Sequence, residues 1–189
     1  MKVVFVDIDG VMNCHEEMLA LLKQNPKAHG KVDLPSPTKC RLLKHLVDKT
    51  GAEIVLSSSW RLSLRAIQNV MDTFKPYGLL LSGLTEQYVA KSKFKETEYY
   101  QIKPKHSHTG YDYNEPNHEG IIIEDRGAEI AYWLLKHPQV EKFIILDDEE
   151  SDIRHWFPNN LIKTDMKFGL TEKEVAEGIK ILGDKDEVR

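Results

Sequence analysis

The sequence predicts an α/β fold built on a doubly wound, parallel sheet of the Rossmann type, and three observations carry that prediction. Short apolar runs of strand length recur along the chain. Segments with helical periodicity lie between them. The core runs end in polar or charged residues, and in open α/β sheets ligands bind at the carboxyl ends of the strands.

Residues 3–8 form a β-rich run that ends in acids and Gly10. Continuous apolar runs suit strands buried on both faces of a parallel sheet. Residues 14–35 hold one short helical pattern, Met18, Leu19 and Leu22. Ser36 then caps a helix that starts on Pro37 and stops before Gly51, with Cys40, Leu43 and Val47 as its buried stripe. Residues 53–56 repeat the strand pattern. Leu64, Ile67, Val70, Met71 and Phe74 give a helical face stopped by Pro76 and Gly78. Residues 128–137 place Ile130, Trp133 and Leu134 on one face, closed by Pro138. Residues 142–146 are a third strand and residues 161–164 a weaker fourth. Thr171 with Glu174 makes a capping box that opens a last helix carrying Val175, Ile179 and Leu182.

Residues 83–120 do not fit the alternation. They are polar, with Tyr99, Tyr100, Tyr111 and Tyr113 among lysines and histidines. Long stretches of this kind in a compact domain serve a function or form an insertion of their own. The expectation is a single domain over residues 1–189, with a small cap or lid inserted after the second strand at 83–120.

The chain has 189 residues, 41% hydrophobic and 30% charged, with a net charge of −4. That balance suits one soluble globular domain. It gives no overall basic field to attract nucleic acid or anionic lipid, so charge does not indicate a nucleic-acid partner. No apolar run approaches the ~18 residues of a membrane span, and residues 1–6 meet Asp7 too early for a signal peptide. A cytoplasmic location without a membrane partner is expected. Cys14 and Cys40 are too few for a disulfide scaffold, and neither sits in a CxxC. His106 and His108 stand two apart with no cysteine nearby, so no zinc site is expected there.

Chemistry concentrates at the strand ends. The first strand ends in Asp7-Ile8-Asp9-Gly10, the second in Ser57-Ser58-Ser59-Trp60-Arg61, and the third in Asp147-Asp148-Glu149-Glu150. Arg126 opens the helix before the third strand. Phosphoryl transfer needs a nucleophile, a proton carrier and compensation of phosphate charge. A carboxylate can take the phosphoryl group and split one hard step into two. Asp7 is placed for that role. A second carboxylate can protonate the leaving oxygen and then activate water. Asp9 fits, and Gly10 lets the backbone turn close to a phosphate. Asp-x-Asp-Gly also opens calcium loops, but these need a Glu at the twelfth position, which here is Met18.

The order of these groups resembles the haloacid dehalogenase-like (HAD) superfamily. Its first motif matches Asp7, Asp9 and Gly10. Its second, a Ser or Thr ending a strand, matches Ser57, which the strand length favours over Ser58 and Ser59. Its third is a basic residue at a helix start, here Arg126, where the superfamily more often carries Lys. Its fourth matches Asp147-Asp148. The stretch from Asp7 to Asn13, with Ser58-Ser59-Trp60-Arg61 and Arg126-Gly127-x-Glu129-Ile130, looks most like small members of the superfamily, some of them in nucleic-acid end-repair proteins.

The resemblance implies an Mg2+-dependent phosphatase. Asp7 is then the nucleophile and Asp9 the acid and base. Asp7, Asp147, Asp148 and the backbone carbonyl of Asp9 hold the metal, and Ser57, Arg126 and Gly10 surround the phosphate. Asp152 is a lesser metal candidate, and Arg61 either reaches phosphate or pairs with an acid. The implied substrate is a small phosphorylated metabolite or nucleotide, with a nucleic-acid 3′ end as the alternative. A non-hydrolytic phospho-receiver also combines acids, a Ser or Thr and a basic residue. There, however, the acidic pair ends the first strand, whereas here it comes last. A catalytically dead binding module is a further class, against which the intact Asp7 and Asp9 argue.

Overall fold

The structure is a computed structural model that describes residues 1–26, 34–93, 96–102, 121–122 and 125–187, with side chains described outside residues 87–124 and 187. Its core is a five-stranded parallel sheet. The strands are β1 (Lys2–Val6), β2 (Glu53–Leu56) and β3 (Leu81–Leu84), with two further strands at Lys142–Asp147 and Leu161–Lys163. The helices are α1 (His15–Gln24), α2 (Pro37–Thr50), α3 (Leu64–Phe74), α4 (Arg126–Lys136) and α5 (Glu172–Leu182). A second, antiparallel sheet comprises β4 (Gln87–Lys93), β5 (Glu96–Ile102) and β6 (Ile121–Ile122). The two remaining core strands are therefore β7 and β8, and the core order is β3-β2-β1-β7-β8.

The strands alternate their burial. Val4 and Val6, with Ile54, Leu56, Ile144 and Leu146, face a cluster fed by α2, α3 and α5. Val3 and Phe5, with Val55 and Ile145, face the other cluster, where α4 contributes Ile130 and Trp133. Helices thus cover both faces, as the continuous apolar runs require. Phe5 meets Trp133 edge-on at 5.2 Å, a contact worth about 0.5–1.5 kcal/mol beyond its buried area. It fixes α4, and with it Arg126, against the central strand.

Local signals start and stop the helices as the sequence predicts. Ser36 accepts from Lys39 N at 3.2 Å, and Gly51 ends α2 at φ +68°. Thr171 and Glu174 form a capping box on α5, and Ser63 caps α3 without having been expected to. Strand β3 was not expected. Its Ser82-Gly83 pair breaks the apolar run, and as an edge strand it needs less apolar surface. The antiparallel sheet therefore follows the third strand of the chain, not the second. Residues 103–120 of the expected insertion lie outside the described residues. Among the described residues, no helix is long and apolar enough to cross a membrane.

Candidate active site

Parallel pairing of β1 with β7 sets Val6 beside Leu146, so the residues that follow emerge side by side. Asp7 N donates to Leu146 O at 3.0 Å and keeps Asp7 in the ladder. Asp7 and Asp147 are buried and Asp148 is half-buried. One carboxylate oxygen from each of the three lies within 4.8 Å of the other two.

The chain then wraps in one tight turn. Met12 N and Asn13 N donate to Ile8 O at 2.8 and 3.1 Å. Gly10 sits at φ +69°, and a Cβ there would stand 2.4 Å from Asp148 Cγ. Both the backbone angle and the lack of space therefore demand glycine. Thr164 Oγ1 donates to Gly10 O at 2.8 Å and ties the turn to the end of β8.

The turn presents Asp9 to solvent with both oxygens engaged. Asn13 Nδ2 donates to Oδ1 at 2.8 Å. Trp60 Nε1 donates to Oδ2 at 2.9 Å. Neither partner was assigned a role from the sequence, although Asn13 and Trp60 both lie in the motif stretches. The spacing Asp9 to Asn13 is the one signal that could have revealed the first contact.

Arg126 is the first residue of α4. Asp125 caps the helix by accepting from Ala128 N at 2.9 Å, and Asp152 accepts from Arg126 N at 3.0 Å. Asp152 thus serves the helix start and not the acidic cluster. The Arg126 side chain turns inward, with Nη1 at 2.9 Å from Asp7 Oδ1 and 2.6 Å from Asp147 Oδ2. A Cβ on the next residue, Gly127, would stand 2.3 Å from Trp156 Cδ1 and 2.4 Å from Asp152 O. Glycine here lets the helix start pack closely enough for Arg126 to reach.

The serines after β2 lie next to Asp7, because Ser57 N donates to Val6 O at 3.1 Å. The Ser58 hydroxyl hydrogen-bonds the Asp7 carboxylate. The Ser57 hydroxyl is buried without a partner. Arg61 does not reach the acidic cluster. It donates to Ser57 O and Ser58 O at 3.0 and 2.7 Å and forms a buried ion pair with Glu129 of α4.

Burial pushes the Asp147 carboxyl up to about 7. Burial raises Asp7 as well, against the pull of Arg126. For Asp148, burial and then the nearby Asp7 act in the same upward direction. Burial opposes the charge on Arg126, but Asp7 and Asp147 outweigh it and hold the guanidinium protonated. One fixed cation therefore faces three crowded carboxylates. The site has an excess of negative charge and all-oxygen donors, the chemistry that suits a hard divalent cation such as Mg2+.

This arrangement joins the four motif positions at one sheet edge. The family model for the HAD domain in Swiss Army Knife RNA repair proteins matches residues 3–175. The chain belongs to that family. The match takes in every residue of the acidic cluster, the serines after β2 and the inserted antiparallel sheet of this HAD domain. Proteins of the superfamily are generally hydrolases, phosphatases among them. No curated protein and no solved structure matches the chain significantly.

Proposed function

We propose that this HAD domain is an Mg2+-dependent phosphomonoester hydrolase that works through an aspartyl-phosphate on Asp7. The observation that carries this reading is the convergence of Asp7, Arg126, Asp147 and Asp148, with Asp9 held alongside. Asp7, Asp147 and Asp148, with the Asp9 carbonyl, would hold the metal. When bound, Mg2+ offsets charge on the phosphate oxygens.

The reaction runs in two halves. An Asp7 oxygen attacks phosphorus while the bond to the leaving oxygen breaks, and Asp9 delivers its proton to that oxygen. The Asp9 carboxylate then takes a proton from water as the water oxygen attacks the phospho-Asp7. Phosphate leaves and Asp7 regains its carboxylate. Arg126 turns from its bridge between Asp7 and Asp147 to meet phosphate oxygens. An unpartnered buried hydroxyl costs about 1–3 kcal/mol, and a phosphoryl oxygen on Asp7 would relieve that cost at Ser57, with Ser58 as the second hydroxyl donor. The inserted antiparallel sheet acts as the cap or lid of the site.

The substrate is a small phosphorylated metabolite or a nucleotide. A second reading, a nucleic-acid 3′-end phosphatase, is favoured by the RNA repair proteins named in the family description. Assay of phosphorylated metabolites beside 3′-phosphorylated oligonucleotides, with and without chelator, tests both. Turnover that vanishes in Asp7→Asn and on chelation supports the reading. Full activity in either condition, or stable stoichiometric phosphorylation without turnover, rejects it.

A further inference from the structure

Trp60 belongs to two environments at once. Its indole N–H donates to Asp9 Oδ2 at 2.9 Å, and its ring helps to line a groove of about 300 Å³. Ala66 extends the apolar wall, and Ser59, Ser63, Arg65 and Asn69 supply polar groups. Arg65 is exposed, and no carboxylate among the described residues pairs with it or lines the groove.

The role of Asp9 gives this groove its meaning. The group that protonates a leaving oxygen must lie beside it, so the rest of the leaving group extends past Asp9. Trp60 is the side chain that connects Asp9 to the groove. A smaller cavity on the Asn13 side, about 220 Å³, is lined by Asp9 itself with Asn13, Cys14, His15, Met18 and Met166, so it too adjoins the proton donor, but it has neither an aromatic indole nor an arginine among the described residues. The two flanks therefore differ in the leaving groups they suit.

We propose that the Trp60–Arg65 groove is the leaving-group site and that it takes a nucleoside whose sugar carries the phosphomonoester. This rests on the reading of Asp7 and Asp9 given above. An indole face stacks on any nucleobase. Hydroxyls and a carboxamide match sugar hydroxyls and base edges. A guanidinium pairs with a further phosphate. A volume of about 300 Å³ lies at the lower end of small-molecule sites and holds one nucleoside, not a duplex. A bare sugar phosphate would leave the Trp60 face without a partner.

The test compares adenosine 3′- and 5′-monophosphates, ribose 5-phosphate, a 3′-phosphorylated dinucleotide and p-nitrophenyl phosphate, all with Mg2+. The expected result is a kcat/KM at least tenfold higher for an adenosine monophosphate than for ribose 5-phosphate. In Asp7→Asn, which binds without turning over, the adenosine monophosphate quenches tryptophan fluorescence and ribose 5-phosphate does not. The quenching is lost in Asp7→Asn/Trp60→Phe, where Trp133 and Trp156 remain as the emitters. Equal kcat/KM for nucleotide and sugar phosphate, or quenching that survives in the double variant, overturns the proposal. Arg65→Glu separates two sources of the same chemistry. A KM increase larger for the dinucleotide than for the mononucleotide assigns the groove to a strand end, and equal increases assign it to free mononucleotides. Wild-type protein inactive on every phosphate would overturn the phosphatase reading, and the fluorescence result would then judge the groove by itself.

Discussion

Arg61 and Glu129 meet in a buried ion pair that joins the serine loop after β2 to the first turn of α4. The same guanidinium also holds Ser57 O and Ser58 O. Removing one partner of such a pair leaves a buried, uncompensated charge, which costs about 3–5 kcal/mol. Glu129→Ala is therefore expected to lower unfolding stability by that order in urea titrations, and Arg61→Ala similarly. A loss below about 1 kcal/mol in both would show that the pair does not hold the loop to the helix.

Arg126 balances Asp7 and Asp147 with one nitrogen between them. A lysine ammonium could take that central position, although it lacks the fork that grips phosphate bidentately. Arg126→Lys is expected to retain measurable turnover, with kcat/KM down roughly 10–100-fold, or about 1.4–3 kcal/mol of barrier. Arg126→Ala is expected to fall by at least a further tenfold. Equal activity in the two variants would rule out a charge requirement here.

The buried acids predict an unusual pH profile for the metal-free protein. Asp147 titrates near 7 in the fold and near 3.9 when unfolded. Between those values the folded state binds more protons, so stability falls as pH rises. The full penalty is present above about pH 7. Glu150 and Asp184 are shifted downward, so they act with the opposite sign, but only below about pH 4.5. Melting temperature in chelator is thus expected to decline from about pH 5 to pH 7.5. Saturating Mg2+ should flatten the slope, and Asp147→Asn should reduce it without removing it, because Asp7 and Asp148 are raised as well. A flat profile in chelator would contradict this account.

The two close glycines make a steric prediction. Gly127→Ala drives a methyl into Trp156 and the Asp152 carbonyl, and the backbone atom cannot rotate away. Overpacking of this kind costs about 1–3 kcal/mol. It should also displace Arg126, so activity is expected to fall more than stability. Gly10→Ala combines the clash with Asp148 and a left-handed backbone angle, and should be at least as damaging. Calorimetry and kcat/KM on the same preparations would check both.

Trp60 should matter most where proton delivery matters most. Trp60→Phe keeps a ring but removes the N–H that holds Asp9. An alkyl phosphate needs its leaving oxygen protonated, whereas p-nitrophenolate leaves readily without a proton. The expected loss in kcat is roughly tenfold greater for the alkyl ester. Equal losses on the two substrates would reduce Trp60 to a packing role.

Much of this was legible in the residues themselves. Runs such as Phe143-Ile144-Ile145-Leu146 suit a covered parallel strand, and parallel pairing brings their polar ends to one edge. Cap residues at Ser36 and Thr171 marked the helices. Strand β3 escaped because its burial depends on β2 alongside it and not on its own pattern. Within the site, the residue types were legible but the pairings were not. Arg61 and Arg126 look alike in sequence, yet one closes on Glu129 and the other reaches the acids. That difference is decided by which strand end each faces, a property of the sheet order. The Trp60–Asp9 contact, between residues 51 apart, likewise needs the β1–β2 register to exist at all.

The chain leaves the core at the end of β3 and returns at Asp125, on the same edge of the sheet. None of the five core strands runs through the excursion, and its length enters no core register. Insertions, deletions and drift between these two points can therefore accumulate without moving Asp7, Asp9 or Asp147. In a lineage built on this plan, the chemistry and the Trp60–Arg65 groove beside it are inherited as a fixed unit, while whatever the excursion adds to them is open to rapid revision.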